Sequence, residues 1–192
     1  MGAVASRSLI SGELLDQIED EVIRPSVEGL TKDNMDFRGF LYAGSMLTPD
    51  GPKLLEYNCR FGDPEAQAVL PLIKGDFAAY LMSAAKGNLM DGLIDFDKGW
   101  SICLVLASAG YPSSSRSGDV INGLDLADGV RVYHAGPQKN TEGQYVTNGG
   151  RVLAVVGHGE TRETALECSY TESEKISFDG NQRRSDIGRL HF

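Results

Sequence analysis

The segment from Lys53 to Gln67, KLLEYNCRFGDPEAQ, constrains this chain more than any other stretch. Lys53 to Asn58 alternates and is rich in large apolar residues, the pattern of a β-strand in which residues two apart face the same way. Glu56, Asn58 and Arg60 then share one face, while Leu55 and Tyr57 point the other way, into a core. A carboxylate, an amide oxygen and a guanidinium in a row suit a metal-bound polyphosphate. Mg²⁺ accepts hard oxygen ligands, takes one or two protein carboxylates, and completes its shell with water and phosphate oxygens. Arg60, at the strand end, is placed to steady the charge of a moving phosphoryl group. The plainer alternative is an exposed polar strand face carrying a surface ion pair, and a bare Glu-x-Asn-x-Arg match does not exclude it.

The next five residues, Phe61 to Glu65, read as a sharp strand-to-helix transition. Gly62 permits unusual backbone angles, Asp63 can cap, Pro64 suits the first helical position and Glu65 favours the positive end of the helix dipole. The helix is expected through Ala66, Val69 and Leu70 toward Pro71. A polar face thus ends at a helix N-terminus.

Upstream, Leu14, Leu15, Ile18, Val22 and Ile23 recur at helical spacing after a capping Ser11; Pro25 is expected to break the pattern near its end, with Val27 and Leu30 able to continue the helix after it. Gly39 to Thr48 is a strand, and Pro49, Asp50 and Gly51 supply the turn of a β-hairpin whose second strand carries the polar face. Downstream, Asp76 caps a helix bearing Phe77, Tyr80, Leu81 and Ala84, stopped at Gly87. SICLVLASAGYP, after Trp100, is a buried strand by composition. Short strands follow near Val120, Val130 to His134, Gln144 to Thr147 and Arg151 to Val156, then a helix capped by Thr161. The expected fold class is α+β, with residues 1–94 preceding a small antiparallel β-rich part at 95–192, and residues 1–10 open to reading as a disordered leader, a tag remnant or a fragment boundary.

Charge and cysteines narrow the function. With 18 Lys and Arg against 27 Asp and Glu, the formal charge of −9 argues against nonspecific binding to nucleic acid or to an anionic membrane. No apolar run reaches transmembrane length. Cys59, Cys103 and Cys168 are widely spaced and read as reduced thiols of a cytoplasmic protein, while His134, His158 and His191 lack the spacing of a zinc site. Two loops add candidate anion contacts. Arg116 lies in the Ser-rich loop after Tyr111 and Pro112, and Arg151 follows Asn148, Gly149 and Gly150; a mobile loop and a hairpin turn with an exposed Arg are the respective alternatives.

LEYNCRFGDPEAQ closely resembles the signature segment of phosphoribosylamine–glycine ligase, an ATP-grasp enzyme family. GFLYAGSMLTPDGPKLLEYN resembles the hairpin before that signature, and ASAGYP, VYHAG, TNGGRVLAVVGHG and RRSDIG follow in the family's order. The resemblance runs from Gly12 to Gly188 and corresponds to the C-terminal part of the enzyme: the end of the ATP-grasp domain, then the C-terminal domain. It implies ATP and Mg²⁺ (or Mn²⁺) as cofactors, with Glu56 and Asn58 as metal ligands, Arg60 as the catalytic cation, and Asp63, Arg116 and Arg151 as substrate contacts. Asp63 meets the glycine ammonium or simply caps the helix. The implied reaction activates glycine as glycyl phosphate, which the amine of 5-phosphoribosylamine attacks. Where family members often place a glycine after Gly-Tyr-Pro, this chain has Ser113. The N-terminal substrate domain and the glycine-rich ATP clamp are missing, so the implied partner is that missing half, or a second copy. Two other readings stay open: a noncatalytic assembly module retaining the fold, and a different ATP-grasp enzyme of the biotin-carboxylase type, which shares Glu-x-Asn-x-Arg but not the Phe-Gly-Asp-Pro-Glu that follows.

Overall fold

The structure, a computed structural model, describes residues 1–189; His191 lies outside the described residues. In chain order the elements are β1 (Gly2–Ala5), α1 (Gly12–Ile18), a π-helical segment (Glu19–Ile23), α2 (Arg24–Lys32), β2 (Tyr42–Thr48) and β3 (Gly51–Asn58). Then come α3 (Glu65–Val69), a 3₁₀ turn (Leu70–Leu72), β4 (Ile73–Gly75), α4 (Phe77–Ala85) and β5 (Ile94–Phe96). The last are β6 (Trp100–Ala107), β7 (Arg131–His134), β8 (Pro137–Lys139), β9 (Tyr145–Thr147), β10 (Arg151–Gly159) and α5 (Arg162–Glu174). Among the described residues no helix is long and apolar enough to cross a membrane.

The chain forms two compact units that do not follow its linear order. Of the described residues, the first gathers Met1–Ser6, Asp63–Leu72 and residues 98–189; the second holds Arg7–Gly62 and Ile73–Asp97. The first unit is built on an antiparallel sheet in the order β1-β6-β10-β7. Its central strands β6 and β10 are covered on both faces, so their sequences read as unbroken apolar runs. Alternation still sorts the side chains. Ile102 and Leu104 join Ala165 and Tyr170 of α5, while Cys103 and Val105 join Ala68 of α3 and Leu72. A third cluster joins Leu106, Val152, Leu153 and Val155 to Ile121, Ile176 and Phe178. Helix α5 starts at a capping box between Thr161 and Thr164. It comes so close to β10 that a Cβ on Gly157 would lie 2.4 Å from Ser169 Oγ, whose hydroxyl accepts the Gly157 N–H.

Two expectations change here. Gly2–Ala5 is a strand paired with Ser101–Leu104 of β6, where the sequence admits a disordered leader. Four residues without turn signals carry too little pattern to read, and pairing with a distant strand decides their conformation. That same pairing, with α3 packed on the sheet, draws residues 1–6 and 63–72 into the unit of the later chain.

In the second unit, Ser11 caps α1 by accepting the Leu14 N–H at 3.2 Å, and Asp76 caps α4 by accepting the Ala79 N–H at 2.8 Å. Helix continues beyond Pro25 through Val27 and Leu30, the continuation that the sequence left open. Proline removes one donor and crowds the carbonyl four residues back. The π-helical segment before it widens the turn, the Arg24 N–H reaches Glu19 O, and α2 continues with Pro25 in its first turn. Strands β2 and β3 form the expected hairpin around Pro49 and Asp50, with the Thr48 hydroxyl donating to Gly51 O. The register slips between Gly44 and Ser45, opposite Glu56 and Leu54, leaving Leu55 as a bulge. Leu55 and Tyr57 do not enter a core: they are 65% and 45% exposed. A two-stranded hairpin has no second layer of its own to cover both faces, and the Tyr57 hydroxyl instead bonds Ser26 Oγ of α2.

Candidate functional site

The signature segment crosses from one compact unit into the other between Gly62 and Asp63. Its chemistry therefore falls into two groups.

The first group lies on β3. Glu56 and Asn58 share a face, as the alternation requires, and Asn58 Nδ2 donates to Glu56 Oε1 at 3.0 Å. That bond leaves Glu56 Oε2 and Asn58 Oδ1 as free acceptors on neighbouring side chains. Glu56 makes no ion pair among the described residues, so the surface-ion-pair alternative lacks its counter-ion. Nor do three His, Cys, Asp or Glu side chains gather into a metal-holding group among the described residues. One carboxylate and one amide oxygen, both open to outside ligands, fit Mg²⁺ bound with phosphate and water, and do not fit an all-protein cage. Arg60 lies beyond the end of β3, so alternation does not carry it onto the same strand face. Its Nη1 donates to Phe61 O at 2.7 Å and the side chain is exposed.

The second group lies in the other unit and centres on Asp63. Helix α3 begins at Glu65, Pro64 occupies its cap position, and no side chain caps it. The expected Asp63 cap is therefore absent, displaced by one residue. The Asp63 carboxylate instead accepts from Gln67 Nε2 at 2.9 Å and pairs with Arg151 at 3.1 Å, while Arg151 also donates to Asp63 O at 2.8 Å. Two residues read separately from the sequence are thus joined. Gln67 went unread, although its position four after Asp63, one helical turn, was the signal. Tyr111 joins the same neighbourhood: a Cβ on Gly150 would lie 2.4 Å from its ring, and the Ser108 N–H donates to Gly150 O at 2.9 Å. The signature, Gly-Tyr-Pro and Asn-Gly-Gly-Arg segments therefore converge.

Arg116 behaves differently. Its guanidinium sits between Asp119 and Asp179, with Nε donating to Asp119 at 2.9 Å. Hydrogen bonds to Asp179 and then Asp119 raise its pKa above the ordinary value. The loop it belongs to is tied down further by Gly118 N–H to Thr147 O and Asp119 N–H to Thr147 Oγ1.

The cysteines differ in reactivity. Cys59, in the signature, is exposed, whereas Cys103 is fully buried. Burial, with the nearby charges of Asp63 and Glu65, pushes the Cys103 thiol up to about 12. Thiolate is the reactive form. In a thiol-reagent assay on the native chain at mildly alkaline pH, Cys59 is expected to react at once and Cys103 only after unfolding. Prompt modification of Cys103, located by peptide mapping, would contradict the buried β6.

Two family models match the chain: the ATP-grasp (A) domain of phosphoribosylglycinamide synthetase over residues 1–66, and the C domain of the same enzyme over residues 101–190. The phosphoribosylamine–glycine ligase of Synechocystis is 44% identical over 98% of this chain and 46% of its own length. The crystal structure of that ligase from Thermotoga maritima superposes with a TM-score of 0.84 at 34% identity, over 97% of this chain and 46% of the other. The biotin carboxylase domain of Hydrogenobacter thermophilus 2-oxoglutarate carboxylase, solved with MgADP, ADP and bicarbonate, shares the fold alone: TM-score 0.64 at 15% identity, over 100% of this chain and 44% of that one. The chain spans about half the length of the curated relatives it matches. Through both domain matches and along nearly all of its length, this chain corresponds to the C-terminal portion of phosphoribosylamine–glycine ligases.

Proposed function

We propose that this chain supplies the metal- and phosphate-facing part of a phosphoribosylamine–glycine ligase, joining glycine to 5-phosphoribosylamine at the expense of ATP in cytoplasmic purine biosynthesis. The carrying observation is the Glu56–Asn58 pair on β3, which has two free oxygen acceptors and no counter-ion, within a chain aligned to such ligases at 44% identity. In sequence terms residues 1–94 would end the ATP-grasp domain and residues 95–192 form the C-terminal domain.

Glu56 and Asn58 would hold Mg²⁺, which when bound offsets phosphate charge. Arg60 would stabilise the phosphoryl group in transfer to the glycine carboxylate. Asp63, positioned by Arg151 and Gln67, is a carboxylate able to meet the glycine ammonium, since it is not spent on capping α3. The exposed apolar side chains of the second unit, Leu15, Val27, Leu55 and Met82 among them, support dependence on a covering partner. That partner would be the ligase portion that this chain does not span.

The test is ligase turnover with MgATP, glycine and 5-phosphoribosylamine, using the chain alone and mixed with the N-terminal portion of the Synechocystis ligase. The chain alone is expected to be inactive and the mixture active. An inactive mixture that also fails to bind MgATP would move the assignment to a noncatalytic assembly module.

A further inference from the structure

The loop from Ser113 to Ser117 is exposed throughout and has no part in the reaction proposed above. Its two ends are fixed. On one side the Tyr111 ring lies against Gly150, where no Cβ would fit, and the Ser114 N–H donates to Gly110 O at 3.0 Å. On the other the Gly118 N–H donates to Thr147 O at 2.8 Å, the Thr147 N–H donates to Asp119 O at 2.9 Å, and Val120 bridges to Val146. Between these anchors no hydrogen bond joins the backbone N–H of Ser115, Arg116 or Ser117 to another of the described residues. Arg116 O accepts from Thr147 Oγ1 only at 3.4 Å. Gly110 and Gly118 flank the loop at φ +87° and +95°, a region open to glycine, so both ends can absorb a change of backbone angle.

The middle is held by one side chain. Arg116 Nε donates to Asp119 Oδ1 at 2.9 Å, and Nη2 reaches both Asp119 and Asp179. The two carboxylates are not equivalent. Asp119 stands on the anchored backbone with its side chain 10% exposed, whereas the Asp179 side chain is 72% exposed. Asp119 is therefore a fixed post and Asp179 a releasable catch. The closure is weak. Ion pairs open to water gain little and are screened by salt. Asp119 Oδ2, moreover, is buried in the closed loop with no hydrogen-bond partner, a desolvation cost that opening relieves.

We propose that Arg116 is an electrostatic latch on this loop. While Asp179 holds it, the loop is closed and the guanidinium is masked. As ionic strength rises, the exposed catch lets go first, the loop opens about its flanking glycines, and Arg116 turns outward as a free cation. The latch rests on the loop's own contacts and stands apart from the ligase reading.

Trypsin cuts after an arginine whose side chain is free to enter its pocket, so cleavage of the Arg116–Ser117 bond in the whole chain reads the released latch. At limiting protease the rate follows the open population. Cuts are located by mass spectrometry, a short peptide substrate corrects for the effect of salt on the protease, and circular dichroism checks that each variant is folded. Going from about 0.1 M to about 1 M NaCl shortens the screening length from about 10 Å to about 3 Å and is expected to speed this cleavage in the wild type. Asp179→Asn is expected to speed it at least about threefold at the lower salt and to abolish most of the salt response. Asp179→Glu, which keeps the charge, should stay close to the wild type. An Asp179→Asn variant cut at the wild-type rate, the same salt response in both, or a bond that resists trypsin throughout would overturn the proposal.

Discussion

Replacing Glu56 with alanine is expected to weaken MgATP binding by at least about 100-fold in the chain mixed with the N-terminal portion of the Synechocystis ligase. Even residues that only support a metal ligand typically cost about 10–100-fold when removed, and Glu56 is the sole carboxylate of the proposed pair. Asn58→Ala removes a neutral oxygen and is expected to cost less, because water can enter its position in the Mg²⁺ shell. Glu56 is exposed and Asn58 only half-buried, so neither variant should change the circular dichroism of the chain. Calorimetry separates the outcomes. Binding that needs the mixture and disappears in Glu56→Ala supports a composite ligase site. MgATP binding by the isolated chain that survives Glu56→Ala would place the nucleotide elsewhere and remove the metal role from β3.

The strand pattern of Lys53 to Asn58 was enough to place Glu56 and Asn58 side by side, because alternation is a local property of an extended chain. It failed one step later. Arg60 lies beyond the last paired residue, where the two-residue period no longer applies. Leu55 and Tyr57 were misassigned to a core for a related reason: alternation says which residues share a face, but not whether anything covers that face. The Asp63 cap was lost to a shift of one residue in the start of α3, a precision that sequence signals do not have. What no local pattern could reveal is the meeting of Asp63 with Arg151, or of Arg116 with Asp179, since each joins distant segments through tertiary pairing. Pro25 illustrates the converse case, in which a strong local stop signal is overridden by one widened turn.

Unfolding in urea is expected to occur in two separate steps, the first belonging to the second unit. Among the described residues, every buried apolar side chain except Val22 and Pro52 belongs to the first unit. Three phenylalanines, Phe40 with Phe61 at 4.0 Å and Phe77 at 6.5 Å, add ring contacts to the second unit without closing a core. Conformational entropy costs about 1–2 kcal/mol per ordered residue, and a unit with so little buried apolar surface has little to offset it. The single tryptophan, Trp100, begins β6 and therefore reports the first unit, while helical circular dichroism also follows α1, α2 and α4. The dichroism should begin to fall at lower urea than the fluorescence changes. Leu104→Ala, at a side chain 1% exposed between β6 and α5, should lower the fluorescence transition by about 2–5 kcal/mol and leave the early one in place. Leu15→Gln, at a side chain 56% exposed on α1, should move neither by more than about 0.5 kcal/mol. Coincident transitions by both probes would mean that the second unit draws its stability from the first, and would remove the physical ground for requiring a covering partner. Separate transitions, with the early one raised by adding the N-terminal portion of the relative, would identify the uncovered apolar surface as the face that partner occupies.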